Sequence, residues 1–384
     1  MYTFNELDRF LDSIGDKYKV PGYSIRVFHK GKLAFSKSGG FSDRENKIPM
    51  QGDEYFYIYS ASKPITCTAA MRAFEEGAFL LGEPVWWYLP EFRDCKVKEY
   101  LENGEIKLVP LKRDILIQDL FSMSAGLNYY TESPEIKEAI KNTNGKAPTR
   151  EIARAIAKMP LEFQPGENFG YSLCHDVLAA VVEVATGVRF SEYVRDRIFT
   201  PLGMNKTTYR INDDILAHMA QQYRYNDETG EAELFGKTNA YIFGSEYDSG
   251  GAGVITTIDD YSKFAYALVN GGVGETGARI ISKRTIDLMR TNLMKGKALE
   301  SFSSWESNRE YGYGYGVKTK IGEGKGGNLS AIGEFGWDGA AGALISIDPE
   351  LELAIVYFQF MLNPRHNLTH PRIRNMAILA TQTK

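Results

Sequence analysis

Cysteine is scarce in this sequence of 384 residues, which contains three cysteines. Cys67, Cys95 and Cys174 form an odd set without a CxxC spacing, so we interpret them as free thiols in a reducing compartment. A small secreted domain held together by disulfides is therefore disfavoured, and the cytoplasm is the expected location.

Long apolar runs and concentrated positive charge are also missing. No stretch approaches the roughly 18 apolar residues that span a bilayer. The N-terminus, MYTFNELDRFLDSIGDKY, lacks the apolar core of a secretory signal. The net charge is −4, with lysine and arginine scattered along the chain, whereas phosphate binding needs a basic stripe. Neither a membrane nor a nucleic acid is an expected partner.

The composition that remains is that of an ordinary packed protein, with 43% hydrophobic and 24% charged residues. A chain this long exceeds one ordinary core and indicates two lobes. Strand patterns lie near both ends, and a mostly helical pattern runs from about residue 60 to 209. This order predicts a discontinuous α/β lobe (residues 1–58 and 245–384), a mostly helical lobe (residues 59–244) and a ligand-binding cleft between them.

Local signals predict where several elements begin and end. A helix over about residues 3–18 leads into two strands that are joined at a turn, Lys30-Gly31-Lys32. ITCTAAMRAFEEG is expected to end as a helix at Gly77, and DVLAAVVEVATG at Gly187. Ser133 precedes a helix start, because a cap residue is followed by an acidic residue in the first turn.

The segment YSASKPITCTAA places Lys63 three residues after Ser60. Positions i and i+3 of a helix are neighbours, so the ammonium would lie near the hydroxyl. A bare SxxK occurs by chance on the order of once in a chain this long. The preceding YFYIY is aromatic and apolar, which puts Ser60 at a strand-to-helix junction beside buried surface. Two interpretations stay open at this point: a solvated helix cap and an activated nucleophile.

A serine nucleophile needs a partner that accepts its proton. Lys63, if partly desolvated, can act as that base or as an electrostatic anchor. FQPGENFGYSLCHDVLAAVVE offers Tyr171, which ends a turn-rich loop just before an apolar helix. A phenol there is well placed to point into a cleft and to relay the proton. The alternative is a packed aromatic side chain whose hydroxyl bonds elsewhere.

Three ordered motifs carry a resemblance over nearly the whole chain: SASK at 60–63, PGENFGYSLCHDVLAAVVEVATG at 165–187 and FGWDGAAGALISIDPE at 335–350. Together they resemble the serine β-lactamase-like hydrolases, which include class C β-lactamases, D-alanyl-D-alanine carboxypeptidases and, most similar of all, family VIII carboxylesterases. Further agreement comes from EEGAFLLGEPVWWYLPEF, IQDLFSMSAGLNY, PLGM and GGAGVITTIDDYSKFAYALVNGG. The resemblance implies a mixed α and β fold, with an antiparallel sheet flanked by helices and an inserted helical lobe.

The resemblance also implies residue roles. Ser60 attacks the acyl carbonyl and forms an acyl-enzyme, while Lys63 and Tyr171 share the proton transfers. The backbone N–H groups of Ser60 and Ala340 hold the oxyanion. Gly339 suits a place where backbone approaches the substrate closely. No metal and no organic cofactor is implied, and the expected partner is a small acyl substrate.

Departures from the β-lactamase pattern bear on the substrate. Leu173 replaces the asparagine that helps to bind a substrate amide, and Trp337 replaces the lysine or histidine that favours a carboxylate. An apolar face followed by Asp338 should disfavour an anionic ligand. YSL and the tryptophan are typical of the esterase branch, but Asp338 is unusual there, and its carboxylate could instead bond a backbone N–H in the turn. Tyr129, which follows SAGLN, is expected near the cleft.

The leading hypothesis is a serine hydrolase for small neutral or cationic acyl esters, similar to a carboxylesterase. One alternative of the same fold is a β-lactamase, or a peptidase or amidase for D-amino acid compounds in which Asp338 binds an ammonium. Another is a non-catalytic protein related to penicillin-binding proteins. The sequence does not indicate an oligomeric state.

Other candidate sites have weaker support. His366 and His370 have the spacing of a zinc-binding helix, but Pro371 and the missing glutamate argue against a metal. Gly322-x-Gly324-x-x-Gly327 matches a dinucleotide pattern without the βαβ unit it requires. His175 is interpreted as structural. A further set of aromatic residues either lines a pocket or belongs to the core: Tyr129, Tyr130, Tyr241, Phe243 and Trp305.

Overall fold

The computed structural model describes residues 2–322 and 326–382, which leaves Gly324 of the glycine pattern outside the described residues. The helices in these ranges are α1 Asn5–Asp12, α2 Ile14–Tyr18, α3 Ser62–Glu75, α4 Ile117–Phe121, α5 Pro134–Asn142, α6 Thr149–Lys158, α7 Cys174–Thr186, α8 Phe190–Val194, α9 Thr200–Leu202, α10 Asp213–His218, α11 Ile258–Val269, α12 Lys283–Met289, α13 Gly296–Ser303 and α14 His366–Gln382. The strands are β1 Gly22–His29, β2 Lys32–Asp43, β3 Ile48–Pro49, β4 Phe56–Tyr57, β5 Lys96–Tyr100, β6 Ile106–Pro110, β7 Tyr223–Asn226, β8 Glu231–Leu234, β9 Ile255–Thr256, β10 Tyr311–Tyr313, β11 Lys318–Lys320, β12 Phe335–Asp338, β13 Leu344–Asp348, β14 Leu353–Gln359 and β15 Met361–Leu362.

One large antiparallel sheet joins the two ends of the chain. Among the described residues it has eight strands in the order β10-β11-β12-β13-β14-β1-β2-β3. The first strand pairs directly with β14, with Ile25 opposite Tyr357. The predicted fold class, an antiparallel sheet flanked by helices, is confirmed. The lobe boundaries remain a prediction, and β7 of the inserted segment pairs with β15 of the C-terminal segment.

Two hydrophobic cores lie on opposite faces of this sheet. Successive side chains of a strand point to opposite faces, so neighbouring residues of β1 enter different cores. Val27 packs in the core that also contains residues of α1 and α14. Phe28 packs in the larger core shared with α3, α7 and α11. The sheet is therefore covered on both faces, and the helices that carry the candidate site rest on one of them.

Several predicted turns and helix ends are confirmed by backbone geometry. Lys30 and Gly31 have φ of 50° and 69°, the left-handed pair that a tight hairpin turn between β1 and β2 requires. Helix α7 ends at Gly187, whose φ is 70°. The Ser133 side chain accepts a hydrogen bond from the Ile136 N–H and caps α5.

Other expectations at this level need correction. The predicted N-terminal helix is two helices, because α1 ends before Ser13 and α2 begins at Ile14. A hairpin of β5 and β6 interrupts the stretch predicted as mostly helical. Its turn contains Asn103-Gly104, a sequence typical of a tight hairpin, and Gly104 has a φ of 83°. This turn chemistry was available in the sequence and outweighs the helical pattern around it.

All three cysteines are buried and unpaired. Within residues 2–322 and 326–382, no helix combines the length and the apolar character needed to cross a bilayer.

Candidate active site

Ser60 lies in a short turn between β4 and α3. The turn, Tyr59–Ala61, is a single 3₁₀ segment, so the α-helix itself begins two residues later, at Ser62. Tyr59 has a φ of 49°, which is rare for a bulky residue and needs support from its surroundings. Its hydroxyl provides some of that support by donating to Gln222 Oε1 at 2.6 Å. The strand-to-helix junction predicted for Ser60 is therefore present, and its backbone is strained.

The structure brings the three predicted reactive side chains together. Lys63 Nζ donates to Ser60 Oγ at 3.1 Å, and Tyr171 Oη donates to the same oxygen at 2.7 Å. The Lys63 ammonium also lies 4.7 Å from the centroid of the Tyr171 ring. The serine hydroxyl thus contacts a phenol and an ammonium at once, which is the arrangement that serine activation by a proton relay requires.

Lys63 is completely buried, and its ammonium is positioned by the backbone of Gly251, which is in turn bonded to the Asp176 carboxylate. Its ammonium donates to the Gly251 carbonyl at 2.8 Å, and the Gly251 N–H donates to Asp176 Oδ1 at 3.2 Å. Asp176 also accepts from Tyr247 and Ser249 hydroxyls. A Cβ on Gly251 would lie 2.6 Å from Asp176 Oδ2, so the close approach requires glycine. Lys63 is therefore linked to Asp176 through the backbone of a single residue, Gly251.

The Tyr171 phenol is held by two aromatic neighbours. Its ring stacks on Tyr129, with centroids 5.4 Å apart, and on Trp337, with centroids 5.7 Å apart. Trp337 Nε1 donates to Tyr171 Oη at 3.3 Å. The sequence predicts that Trp337 contacts the substrate, and in the structure its indole N–H contacts the oxygen of the candidate base. A donor to that oxygen stabilises negative charge on it.

A cavity of about 400 Å³ opens over Ser60. Five of its twelve lining residues are tyrosine or tryptophan, and the predicted residues Tyr129, Trp337, Asp338, Gly339 and Ala340 all line it. The full lining is Ser60, Tyr129, Tyr171, Tyr241, Trp305, Ser307, Asn308, Trp337, Asp338, Gly339, Ala340 and His366.

The end of β12 approaches the segment that precedes Ser60. Gly339 packs so tightly there that a Cβ would come within 2.2 Å of the Ile58 carbonyl oxygen. The Gly339 N–H donates to the Ala343 carbonyl, whereas the Ala340 N–H donates to no residue in the described part of the chain. Ala340 and Ser60 line the same cavity, and the Ser60 N–H belongs to the first turn of a helical segment, where N–H groups lack helical partners. Both predicted oxyanion donors are thus near the cavity.

The prediction that Leu173 contacts the substrate is corrected by the structure. Leu173 is 2% exposed and does not line the cavity. It immediately precedes α7, where its N–H donates to the Asn128 carbonyl and its side chain packs in the large core. A branched apolar side chain at this position is more stable in the core than beside the polar reacting groups.

Asp338 pairs with a lysine that sequence reasoning did not identify. Asp338 Oδ2 lies 3.4 Å from Lys318 Nζ, so the suggestion that it bonds a backbone N–H is wrong. Burial raises the pKa of Asp338, but the nearby Lys318 ammonium and two histidines outweigh burial, and the pKa lies below its usual range. The carboxylate in the cavity wall is therefore ionised at neutral pH.

The candidate aromatic residues divide between the cavity and other places. Tyr241 and Trp305 line the cavity together with Tyr129. Tyr130 lines a neighbouring cavity beside α5. Phe243 stacks on Tyr247, with ring centroids 4.9 Å apart, and is not part of the cavity wall.

The two histidines of the zinc-like spacing lie on one helix, α14, which continues through Pro371. Their rings are 5.6 Å apart, and His366 also lines the catalytic cavity. Over the described ranges, no group of three or more His, Cys, Asp or Glu side chains is arranged to hold a metal ion.

His175 is completely buried beneath the site, in agreement with its structural interpretation. Its Nε2 lies 3.1 Å from the Phe121 carbonyl oxygen, and its ring contacts Cys67 Sγ. Burial first, and the Lys63 ammonium second, lower the pKa of His175 to about 3. The imidazole is therefore neutral in the folded protein throughout the neutral and mildly acidic range.

This burial makes folding sensitive to acid. Below about pH 6.5 the unfolded chain binds a proton that the folded chain does not, so stability falls as pH decreases from about 6.5 towards 3. Between about pH 7.5 and pH 5, the native protein is expected to lose about 2 kcal/mol more unfolding free energy than His175→Gln. Urea unfolding at the two pH values measures this difference. The exposed-site variant His218→Gln is the control, and equal losses in His175→Gln and the native protein would contradict the assignment.

Comparison with known proteins bears on the family and the fold. The family model described as Beta-lactamase matches residues 7–382. Protein Rv1367c from Mycobacterium tuberculosis (strain ATCC 25618 / H37Rv) is 29% identical over 356 residues, which cover 88% of this chain and 85% of that protein. Esterase EstB from Burkholderia gladioli is 29% identical over 280 residues, covering 66% of this chain and 67% of the esterase. The solved structure of unliganded simvastatin synthase (LovD) from Aspergillus terreus superimposes with a TM-score of 0.84 at 21% identity, covering all of both chains.

Proposed function

The chain belongs to the Beta-lactamase family of serine hydrolases, and on that premise we propose that it cleaves small acyl esters through an acyl-enzyme. The observation that carries the proposal is the contact of one hydroxyl, Ser60 Oγ, with both Tyr171 Oη and Lys63 Nζ. An esterase among the relatives and the aromatic wall of the cavity support an ester as the substrate.

The first half of the reaction makes the acyl-enzyme. In the reactive form Tyr171 has passed its proton to Lys63, and the phenolate, stabilised by the Lys63 ammonium and the Trp337 N–H, takes the proton of Ser60 while Oγ attacks the acyl carbonyl. The carbonyl oxygen becomes negative and is stabilised by the N–H groups of Ser60 and Ala340. The tetrahedral intermediate then collapses, the alcohol leaves with the proton from Tyr171, and an ester bond to Ser60 remains.

The second half hydrolyses this ester. Water enters from the cavity, gives a proton to Tyr171 and attacks the acyl carbonyl. The carbonyl oxygen again accepts hydrogen bonds from the N–H groups of Ser60 and Ala340. Collapse of this second intermediate returns the proton to Ser60 Oγ and releases the carboxylic acid. The Lys63 ammonium keeps its hydrogen bond to Gly251 throughout and so holds a fixed positive charge beside the phenol.

A panel of chromogenic substrates tests the reaction class. We expect p-nitrophenyl butyrate to be hydrolysed with a kcat/KM at least about a hundredfold above that for nitrocefin, because the carboxylate in the cavity wall disfavours an anionic β-lactam. We expect the same margin over D-alanine p-nitroanilide, because the carbonyl of an anilide is less electrophilic than that of an activated ester. Faster hydrolysis of nitrocefin would favour the β-lactamase alternative, and faster hydrolysis of the anilide the D-amino acid amidase. Turnover of none of them, with the protein folded, would favour a non-catalytic penicillin-binding-like protein.

The Trp337 contact gives a separate prediction. Trp337→Phe keeps a ring beside Tyr171 but removes the N–H donor to its oxygen, so kcat for p-nitrophenyl butyrate is expected to fall about tenfold, with a smaller change in KM. Steady-state kinetics measure both parameters. Trp305→Phe removes an indole from the same cavity that has no bond to Tyr171, and an equal loss of kcat in both variants would contradict a role for the donor.

A further inference from the structure

One carboxylate oxygen of the catalytic cavity has no protein partner. Asp338 is the last residue of β12 and lines the cavity that contains Ser60. Its Oδ2 is paired with Lys318, whereas Oδ1 accepts no hydrogen bond from any residue within 2–322 or 326–382. The Asp338 side chain is 23% exposed, so a molecule in the cavity can reach it.

Sheet register explains why Lys318 holds this carboxylate without entering the cavity. Lys318 on β11 lies opposite Gly336 on β12, and Asp338 is two residues further along the same strand. Residues two positions apart in a strand point to the same face of the sheet, and a long side chain can reach its diagonal neighbour on the adjacent strand. The Lys318 side chain is only 6% exposed and is not part of the cavity wall. A ligand therefore meets the carboxylate first, with the ammonium behind it.

The rest of the wall favours the same kind of ligand. Five aromatic rings line the cavity, and aromatic faces attract cations, quaternary ammonium groups in particular. They are Tyr129, Tyr171, Tyr241, Trp305 and Trp337. Tyr171 is stacked between Tyr129 and Trp337, whereas Tyr241 and Trp305 contact these rings edge to face and keep their own faces unstacked among the described residues. The other cation of the site, Lys63, is completely buried beneath Ser60 and already bonds the Gly251 carbonyl.

We propose that Asp338 is a specificity-determining residue that selects acyl compounds bearing an alkylammonium group, with Lys318 as the positioning residue that holds its carboxylate. The ammonium lies against Asp338 Oδ1 and the aromatic rings while the acyl carbonyl lies over Ser60. The substrate class rests on the proposed function, because it assumes that the ligand of this cavity is the ester that Ser60 attacks.

Pairs of esters that differ only in charge test this selectivity. In the first pair the alcohol carries the charge: acetylcholine against its carbon isostere, 3,3-dimethylbutyl acetate. In the second the acyl group carries it: the p-nitrophenyl esters of 4-(trimethylammonio)butanoate and of 5,5-dimethylhexanoate. We expect kcat/KM to be at least about fivefold higher for the cationic member of one pair. Equal rates, or faster hydrolysis of the neutral member in both pairs, would overturn the proposal.

Variants assign the preference to the carboxylate. In Asp338→Asn the ratio of cationic to neutral kcat/KM is expected to fall about tenfold for the preferred pair, and in Asp338→Glu to remain above unity. Asp94→Asn makes the same change of net charge at an exposed position outside the cavity and should keep the native ratio. An unchanged ratio in Asp338→Asn would overturn the proposal. If that variant does not fold, the cationic-to-neutral kcat/KM ratios of the native protein are the test.

Binding separates this proposal from the proposed function. Isothermal titration calorimetry of the native protein with choline and with 3,3-dimethylbutanol measures binding affinity and needs no turnover. We expect choline to bind at least about fivefold more tightly. If no ester is hydrolysed but choline is preferred, the ester hydrolase fails and the cation site stands. If esters are hydrolysed but the neutral alcohol binds as tightly as choline, and the ester pairs show no charge preference, the cation site fails alone.

Discussion

Replacing Ser60 with alanine is expected to lower kcat/KM for p-nitrophenyl butyrate by about 10⁴-fold or more, because the acyl-enzyme cannot form without the nucleophile. The fold should be retained, since alanine only removes an oxygen that faces the cavity. Steady-state kinetics give the loss of activity, and circular dichroism confirms folding.

Ser62→Ala is the matched control for this change. Ser62 is two residues further on and fully buried, and its Oγ accepts a hydrogen bond from the Val254 N–H. Loss of that bond is expected to cost about 1 kcal/mol of stability while kcat/KM stays within about tenfold of the native value. If Ser60→Ala retained comparable activity, Ser60 would not be the nucleophile.

Tyr171→Phe is expected to lower kcat by about 10²- to 10⁴-fold with little change in KM. The substitution removes only the hydroxyl that donates to Ser60 Oγ and leaves a ring that can stack on Tyr129 and Trp337. Because substrate contacts on the ring remain, the loss should appear in the chemical step.

Tyr241→Phe makes the identical change in the same cavity. Tyr241 contacts Tyr129 edge to face, and its hydroxyl makes no hydrogen bond to Ser60. Its kcat is expected to stay within about tenfold of the native value, since a cavity hydroxyl outside the proton relay contributes about one hydrogen bond at most. Similar losses of kcat in the two variants would show that Tyr171 has no special part in proton transfer.

The reactive residues could be predicted from the sequence because their geometry is mostly local or motif-based. Lys63 reaches Ser60 through helical spacing, which needs no tertiary information. Tyr171 lies far away in the chain, and its position came from the resemblance carried by GYSLCHDVLAAVVE. The hairpin turn at Lys30-Gly31 and the helix end at Gly187 were predictable for the same local reason, since each depends on a backbone conformation that glycine favours.

Features that depend on packing or strand register were missed. Lys318 meets Asp338 only because β11 and β12 pair with Lys318 opposite Gly336, and no local pattern specifies that register. Leu173 was assigned to the substrate from its motif position, but the direction of its side chain is decided by the core around α7. The unusual backbone of Tyr59 is likewise supported by a residue distant in the chain, Gln222. The Trp337 donor to Tyr171 also requires the tertiary structure.

The most direct test of the account is covalent labelling of the intact protein with a fluorophosphonate, followed by intact-mass analysis and peptide mapping. Such a probe reacts with a serine hydroxyl that is activated by its neighbours. We expect one adduct per chain on Ser60, and none in Ser60→Ala. A folded native protein that stays unlabelled, or that carries the adduct on another residue, would contradict the claim that Lys63 and Tyr171 activate Ser60.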